Sequence, residues 1–235
     1  MKIRILGLTT LLLAPVAQAD MTAAYVHGYQ TQVTDYNGAM FDLYVQDLYV
    51  MSDDAADTLL NVYDLVLPEP ARVDYYQSVG GTGWLPNNLG GPFDTDAVRR
   101  GDSFVTIGGV AQGVARPEQA VGAGDGTLLD PSFGGDDASY PGDGNTYPAV
   151  DGGGWANGNP PSLAGLVGDT VFGVGVFIGR FSSLTEFTLE GATLSMTWNQ
   201  GLGTPGAQTE LVVTPTPGAV ALLGLAGLAG RRRRG

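Results

Sequence analysis

Between Thr170 and Phe181 the chain reads TVFGVGVFIGRF, with Phe172, Val174, Val176 and Ile178 alternating against glycines at 173, 175 and 179. A period of two fits a pleated strand, whose successive side chains point to opposite faces, and not a helix of 3.6 residues per turn. Glycines gathered along one face predict that another backbone or an aromatic ring comes close there. A second run, ATLSMTWNQG, sets Leu194, Met196 and Trp198 against Thr193, Ser195 and Thr197, and TEFTLEG precedes it at hairpin spacing. Trp198 is thereby assigned to a core.

Earlier segments read the same way. Ala24 to Tyr36 is rich in aromatic and β-branched residues, and Thr58 to Leu67 forms a strand closed by Pro68-Glu69-Pro70. MFDLYVQDLYVM alternates Phe41, Leu43 and Val45, then changes phase to Leu48 and Val50, which predicts a bulge. Asp102 to Gly109 is a short strand bounded by glycine. With 37 glycines, 14 prolines and no convincing amphipathic helix, the pattern predicts an all-β chain: a β-sandwich or jelly-roll-like ectodomain over residues 20–212. Residues 116–163 are dense in Gly, Asp, Pro and Asn and long for a connection, so they are predicted to cross one end of the sandwich as a loop insertion.

Charge and cysteine content exclude several chemistries. All 24 acids lie between Asp20 and Glu210, where only Arg72, Arg99, Arg100, Arg116 and Arg180 oppose them, so this stretch is more acidic than the whole-chain −13. Such a field repels phosphate backbones and excludes nucleic acid as a partner. There is no cysteine, hence no disulfide, thiol nucleophile or thiolate metal site. His27 is the sole histidine, which excludes a multi-histidine metal centre. A Ser-His-Asp arrangement would have to use it, yet no Gly-x-Ser-x-Gly element is present. No catalytic residue is assigned and the chain is not read as an enzyme, although a carboxylate-based glycan-degrading activity is open to any chain with so many acids.

Two groups are candidates for binding. Asp125, Asp130, Asp136, Asp137, Asp143 and Asp151 stand among glycines, which let carboxylates and carbonyls converge on calcium, an ion that takes six to eight oxygens. EF-hand spacing is absent, and Asp-Gly pairs are also ordinary turn chemistry, so calcium and plain turns both remain open. Asp53, Asp54 and Asp57 form a second acidic group between two strands, read as a solvated turn. Trp84, Tyr140, Tyr147 and Trp155 lie in loop-like segments beside Asp and Asn, the ingredients of a sugar-stacking surface, or else of local cores packed beneath long loops.

Both ends carry addresses. Lys2 and Arg4 precede the apolar stretch Ile5 to Leu13, and Ala17-Gln18-Ala19 supplies the small-x-small site of signal peptidase, with cleavage expected between Ala19 and Asp20. Residues 1–19 are thus a signal peptide. Residues 213–235 hold Pro215, Thr216, Pro217 and Gly218, an apolar segment 218–230, and Arg231, Arg232, Arg233 and Arg234. Thirteen apolar residues as a helix reach roughly 20 Å, short of the about 30 Å of a bilayer core, and the arginines form a stop-transfer block.

This layout resembles the PEP-CTERM sorting signal, with Thr216 where the family name has Glu. The resemblance covers only the tail. It implies export, recognition by an exosortase-like membrane protease, a transient or retained C-terminal membrane segment, and a place at the cell surface or in an extracellular polysaccharide matrix. The reading is therefore an exported structural or interaction protein, with a calcium-assisted carbohydrate-binding module as the alternative.

Overall fold

The computed structural model describes residues 20–78, 83–86, 95–108, 127–130, 133, 146–147, 152–158, 164–170 and 172–216. Ala17, Ala19, Asp125, Asp136, Asp137, Tyr140, Asp143, Asp151, Pro217, Gly218, Arg231, Arg232, Arg233 and Arg234, and with them the apolar segment 218–230, lie outside the described residues. The all-β expectation holds. The strands are β1 (Met21–Thr34), β2 (Met40–Ser52), β3 (Thr58–Val66), β4 (Tyr75–Tyr76), β5 (Phe104–Val105), β6 (Thr127–Leu129), β7 (Thr146–Tyr147), β8 (Gly153–Asn157), β9 (Gly168–Thr170), β10 (Gly173–Ser183), β11 (Thr193–Asn199) and β12 (Ala207–Pro215). A 3₁₀ turn at Glu69–Ala71 and the one-turn helix α1 (Asp96–Arg100) complete the described elements.

Ten strands form one sheet in the order β5-β10-β2-β1-β12-β11-β3-β8-β6, with β9 beside β10, while β4 and β7 make a separate ladder. The sheet is nearly barrel-shaped. Its halves join where β1 runs parallel to β12, Ala24 opposite Val213 and Val26 opposite Pro215. Its far ends are drawn together just past β5. There the Trp155 indole N–H of β8 donates to the Thr106 carbonyl at 2.9 Å, and the Ile107 N–H donates to Thr127 Oγ1 of β6 at 3.3 Å. Inside lie Val26, Leu48, Val50, Leu59, Val62, Trp155, Val176, Leu194, Met196, Trp198 and Val213, contributed by both halves. β11 keeps the predicted alternation, with Leu194, Met196 and Trp198 buried and the residues between them half-buried.

The β1–β2 hairpin turns through Asp35-Tyr36-Asn37-Gly38. Gly38 takes φ +80°, its N–H donates to the Asp35 carbonyl at 2.9 Å, and the Asn37 side chain accepts from the Ala39 N–H at 2.9 Å. Asn-Gly is the pair that such a tight reversal favours.

Four sequence expectations are corrected. First, β2 has no bulge between Val45 and Leu48: its pairing with β1 is regular from Thr34↔Met40 to Ala23↔Met51. Leu43 and Val45 belong to one face and Leu48 and Val50 to the other, and both faces are covered, so two apolar stripes look like one stripe changing phase.

Second, Thr170 to Phe181 is a hairpin, β9 turning into β10, with Gly173 at φ +120°. The irregularity lies in β10, where Phe177 faces Tyr49 but Gly179 faces Leu48, leaving Ile178 as the extra residue. The expected close approach is present: a Cβ on Gly175 would fall 2.4 Å from the Val50 carbonyl oxygen.

Third, residues 185–190 form no strand. The Gln46 amide stands in for a partner: its Nε2 donates to the Phe187 carbonyl at 2.6 Å and its Oε1 accepts from the Leu189 N–H at 2.7 Å.

Fourth, 116–163 is not only a loop, since it supplies β6, β7 and β8. Glycine hid β8 from a reading of alternation, and the fold needs it there, because a Cβ on Gly154 would meet the Val62 oxygen at 3.0 Å.

Replacing Gln46 with Leu keeps the volume but strands a buried carbonyl and a buried N–H, at about 1–3 kcal/mol each. Urea unfolding of Gln46→Leu is expected to show that loss at an unchanged m-value.

Candidate functional site

In β1 the odd-numbered residues share one face, and across the ladder Tyr25 stands opposite Tyr49, His27 opposite Asp47 and Tyr29 opposite Val45. This face points away from the interior, with His27 exposed and Tyr25 and Tyr29 half-buried. Phe172, set in the β9–β10 turn, folds over it. Ring centroids lie 5.8 Å apart for His27–Phe172, 6.2 Å for Tyr25–Phe172, 5.5 Å for His27–Tyr29 and 5.1 Å for Tyr49–Phe172. The edge-on arrangements suit the ring quadrupoles. Phe177, 5.3 Å from Tyr49, and Phe104, 5.8 Å from Phe177, extend the row into buried ground.

Beneath the rings sits an ion pair. Arg180 Nε and Nη2 donate to Asp47 Oδ1 and Oδ2 at 2.7 and 3.0 Å, with the side chains 1% and 2% exposed. Arg180 Nη1 also donates to the Arg99 carbonyl at 2.8 Å, using one of the last carbonyls of α1. The Tyr29 hydroxyl donates to Asp47 Oδ2 at 3.2 Å. Burial favours a neutral guanidinium, but the Asp47 charge and its bonds outweigh it and push the Arg180 pKa above its ordinary value. The bulge at Ile178 makes this possible. A regular β10 would carry Arg180 to the opposite face, into the apolar interior.

A second feature is a cleft of about 240 Å³ lined by Asn61, Val62, Tyr63, Leu128, Leu129, Asp130, Gly154, Trp155 and Ala156. It brings together Asp130 and Trp155, which the sequence placed in separate candidate sets. The indole is nonetheless a wall and not a platform. Trp155 is 2% and Trp84 3% exposed, and both pack edge-on against Phe133, at 5.7 and 5.5 Å. Of the two readings open for these tryptophans, local cores hold and free sugar-stacking faces do not, since apolar rings from neighbouring segments cover both indoles. Tyr147 lies in β7, paired with Tyr75. Pro215 closes β12 and Thr216 follows it, both half-buried, and Asp20 is exposed just before β1. Among the described residues no three carboxylate or histidine side chains gather to hold a metal, and no helix is long and apolar enough to cross a membrane.

A third group is wholly internal. Asp102 Oδ1 accepts the Ser78 N–H at 2.8 Å, while Asp102 Oδ2, Gln77 Oε1, Ser78 Oγ and Ser182 Oγ are buried without hydrogen-bond partners. Burial, opposed by the Ser78 N–H bond and reinforced by the nearby Asp35 charge, pushes the Asp102 pKa up to about 8. Asp35 itself accepts the Tyr76 hydroxyl at 2.7 Å. No family model matches the chain, and neither does a curated protein or a solved structure.

In the ring face only the strand that carries Tyr25, His27 and Tyr29 was legible in the sequence, not the face as a site. The ion pair beneath it was not, because Asp47 and Arg180 are separated by 133 positions.

Two outcomes follow. Asp47→Ala leaves a buried guanidinium unpaired and is expected to cost about 3–5 kcal/mol, most of it recovered in Asp47→Ala/Arg180→Met, as read by urea unfolding. Asp102 holds its proton in the fold up to about pH 8, but loses it in the unfolded chain near pH 3.9. Between those values the unfolded state binds fewer protons, so stability falls as pH rises, and Asp102→Asn makes the unfolding free energy flatter across that window.

Proposed function

We propose that this chain is an exported protein, freed from its signal peptide after Ala19 and sorted through its C-terminal tail. Its role is structural or interactive, at the cell surface or in an extracellular polysaccharide layer. The observation that carries the reading is the pairing of the two end signals in one chain: Ala17-Gln18-Ala19 at the start, and Pro215-Thr216-Pro217-Gly218, the apolar run and Arg231 to Arg234 at the end. Signal peptidase and an exosortase-like membrane protease are the processing partners this reading requires. The wrapped sheet is read as a jelly-roll-like ectodomain.

The outer face of β1 supports a carbohydrate-binding role within that function. Sugars present C–H faces that stack on rings and hydroxyls that bond to polar groups. Tyr25, His27, Tyr29 and Phe172 offer both, and the Asp47–Arg180 pair holds Tyr29 in place. Calcium assistance would fall to the Asp125–Asp151 group and is proposed as a separate addition. Catalysis has no assigned residue and is not part of the proposal.

Polysaccharide extracted from the producing cells, cast into a native gel, is the direct probe. The protein is expected to be retarded, and Tyr25→Ala/Phe172→Ala to lose about fivefold per ring, as about 1 kcal/mol of stacking per ring implies. Unretarded migration of the wild type overturns the carbohydrate role. An intact mass that retains the signal peptide overturns export through signal peptidase.

A further inference from the structure

The fold contains a place for the amino group that signal cleavage creates, an inference that rests on the cleavage reading above. The Asp20 backbone nitrogen donates to Asp53 Oδ1 at 2.9 Å, and the Asp53 N–H donates back to the Asp20 carbonyl at 3.3 Å. These reciprocal bonds tie the first residue past the expected scissile bond to the turn between β2 and β3. The neighbouring sheet fixes the position of that nitrogen, since Met21 is buried and stands opposite Ser52 in the ladder.

The turn is a concentration of negative charge. Asp53 is exposed, Asp54 half-buried and Asp57 buried. Asp57 Oδ2 accepts the Ser52 hydroxyl at 2.6 Å, and its Oδ1 is buried without a partner. Burial, and then the charges of Asp54 and Asp53, act against ionisation of Asp57, with the Ser52 bond opposing them. Gln200 Nε2 donates to Asp54 Oδ2 at 3.2 Å. Among the described residues no arginine forms an ion pair with any of the three carboxylates.

Cleavage supplies the missing cation. Water adds to the Ala19 carbonyl carbon and the C–N bond to Asp20 breaks. Ala19 leaves as a carboxylate, and the Asp20 nitrogen takes up protons to become an α-ammonium with three donors where the peptide had one. We propose that the Asp53-Asp54-Asp57 turn is the acceptor site for this new α-ammonium. Processing thereby converts a neutral-donor bond to Asp53 into an ion pair that fastens β1 to the β2–β3 turn and relieves the repulsion among the three carboxylates. Signal removal is in this sense a folding step of the mature protein.

The chain offers an unusually clean test. Lys2 is its only lysine and departs with the signal, so the α-ammonium is the single primary amine of the mature chain. An N-hydroxysuccinimide ester of acetic acid will neutralise that group alone among primary amines. Thermal unfolding is compared for the full mature chain from Asp20, acetylated and untreated, in wild type and in Asp53→Asn. Acetylation is expected to lower the wild-type Tm by about 2 °C or more, and to shift Asp53→Asn by less than half as much. An equal shift in the two proteins, or none in the wild type, overturns the acceptor site. Intact mass of the native protein tests the underlying reading separately. A mature N-terminus other than Asp20 refutes the cleavage assignment itself.

Discussion

A guanidinium sealed inside a protein is tolerable only if its charge is met and its donors are used. Arg180 meets that condition through Asp47 and through the Arg99 carbonyl of α1. Much of one side of the molecule is arranged around this. β10 carries one extra residue at Ile178 so that Arg180 reaches the face where Asp47 stands. The short helix is held by its C-terminal end, and Tyr29 is fixed by the same carboxylate. The rings of Tyr49, Phe177 and Phe104 pack along the same face. Such a pair adds little net stability relative to an apolar substitute, but losing one partner is costly, so it acts as a specifier of register.

The second constraint is that β2 has no solvent face over most of its length. From Tyr44 onward its even-numbered residues enter the main interior, and its odd-numbered residues are covered by α1, β4 and the β5 segment. A thirteen-residue strand buried on both sides is the natural axis for a sheet that wraps upon itself. With no cysteine available, closure depends on packing and on a few long-range bonds. Gln46 holds residues 187–189, and Trp155 and Thr127 hold the segment after β5. These are polar bonds in dry surroundings, where each unpaired group is expensive.

The folded body and the two proposed end signals are connected with economy. β12 stops at Pro215, whose missing N–H cannot continue a ladder, and the expected sorting segment, residues 213–235, overlaps the last three residues of that strand. β1 begins one residue after the expected signal cleavage site. The proposed roles thus occupy separate ground: processing at the termini, sugar contact on the outer face of β1, and a buried acid, Asp102, within.

Local alternation made the all-β class, the placement of β1, β3 and β11, and the core role of Trp198 readable, because a strand writes its own two-residue period into the chain. The two end signals remain proposals, each read from a contiguous run by its length, charge and small residues. Other features had no local signature. Two apolar stripes on β2 imitated a bulge, the real bulge in β10 lay within an apparently regular run, and a glycine-rich stretch concealed β8. Whether Trp84 and Trp155 face solvent, and whether Asp47 finds Arg180, depends on segments far apart in the chain coming together. Pairing across such distances is a property of the wrapped sheet, and no stretch of this sequence contains it alone.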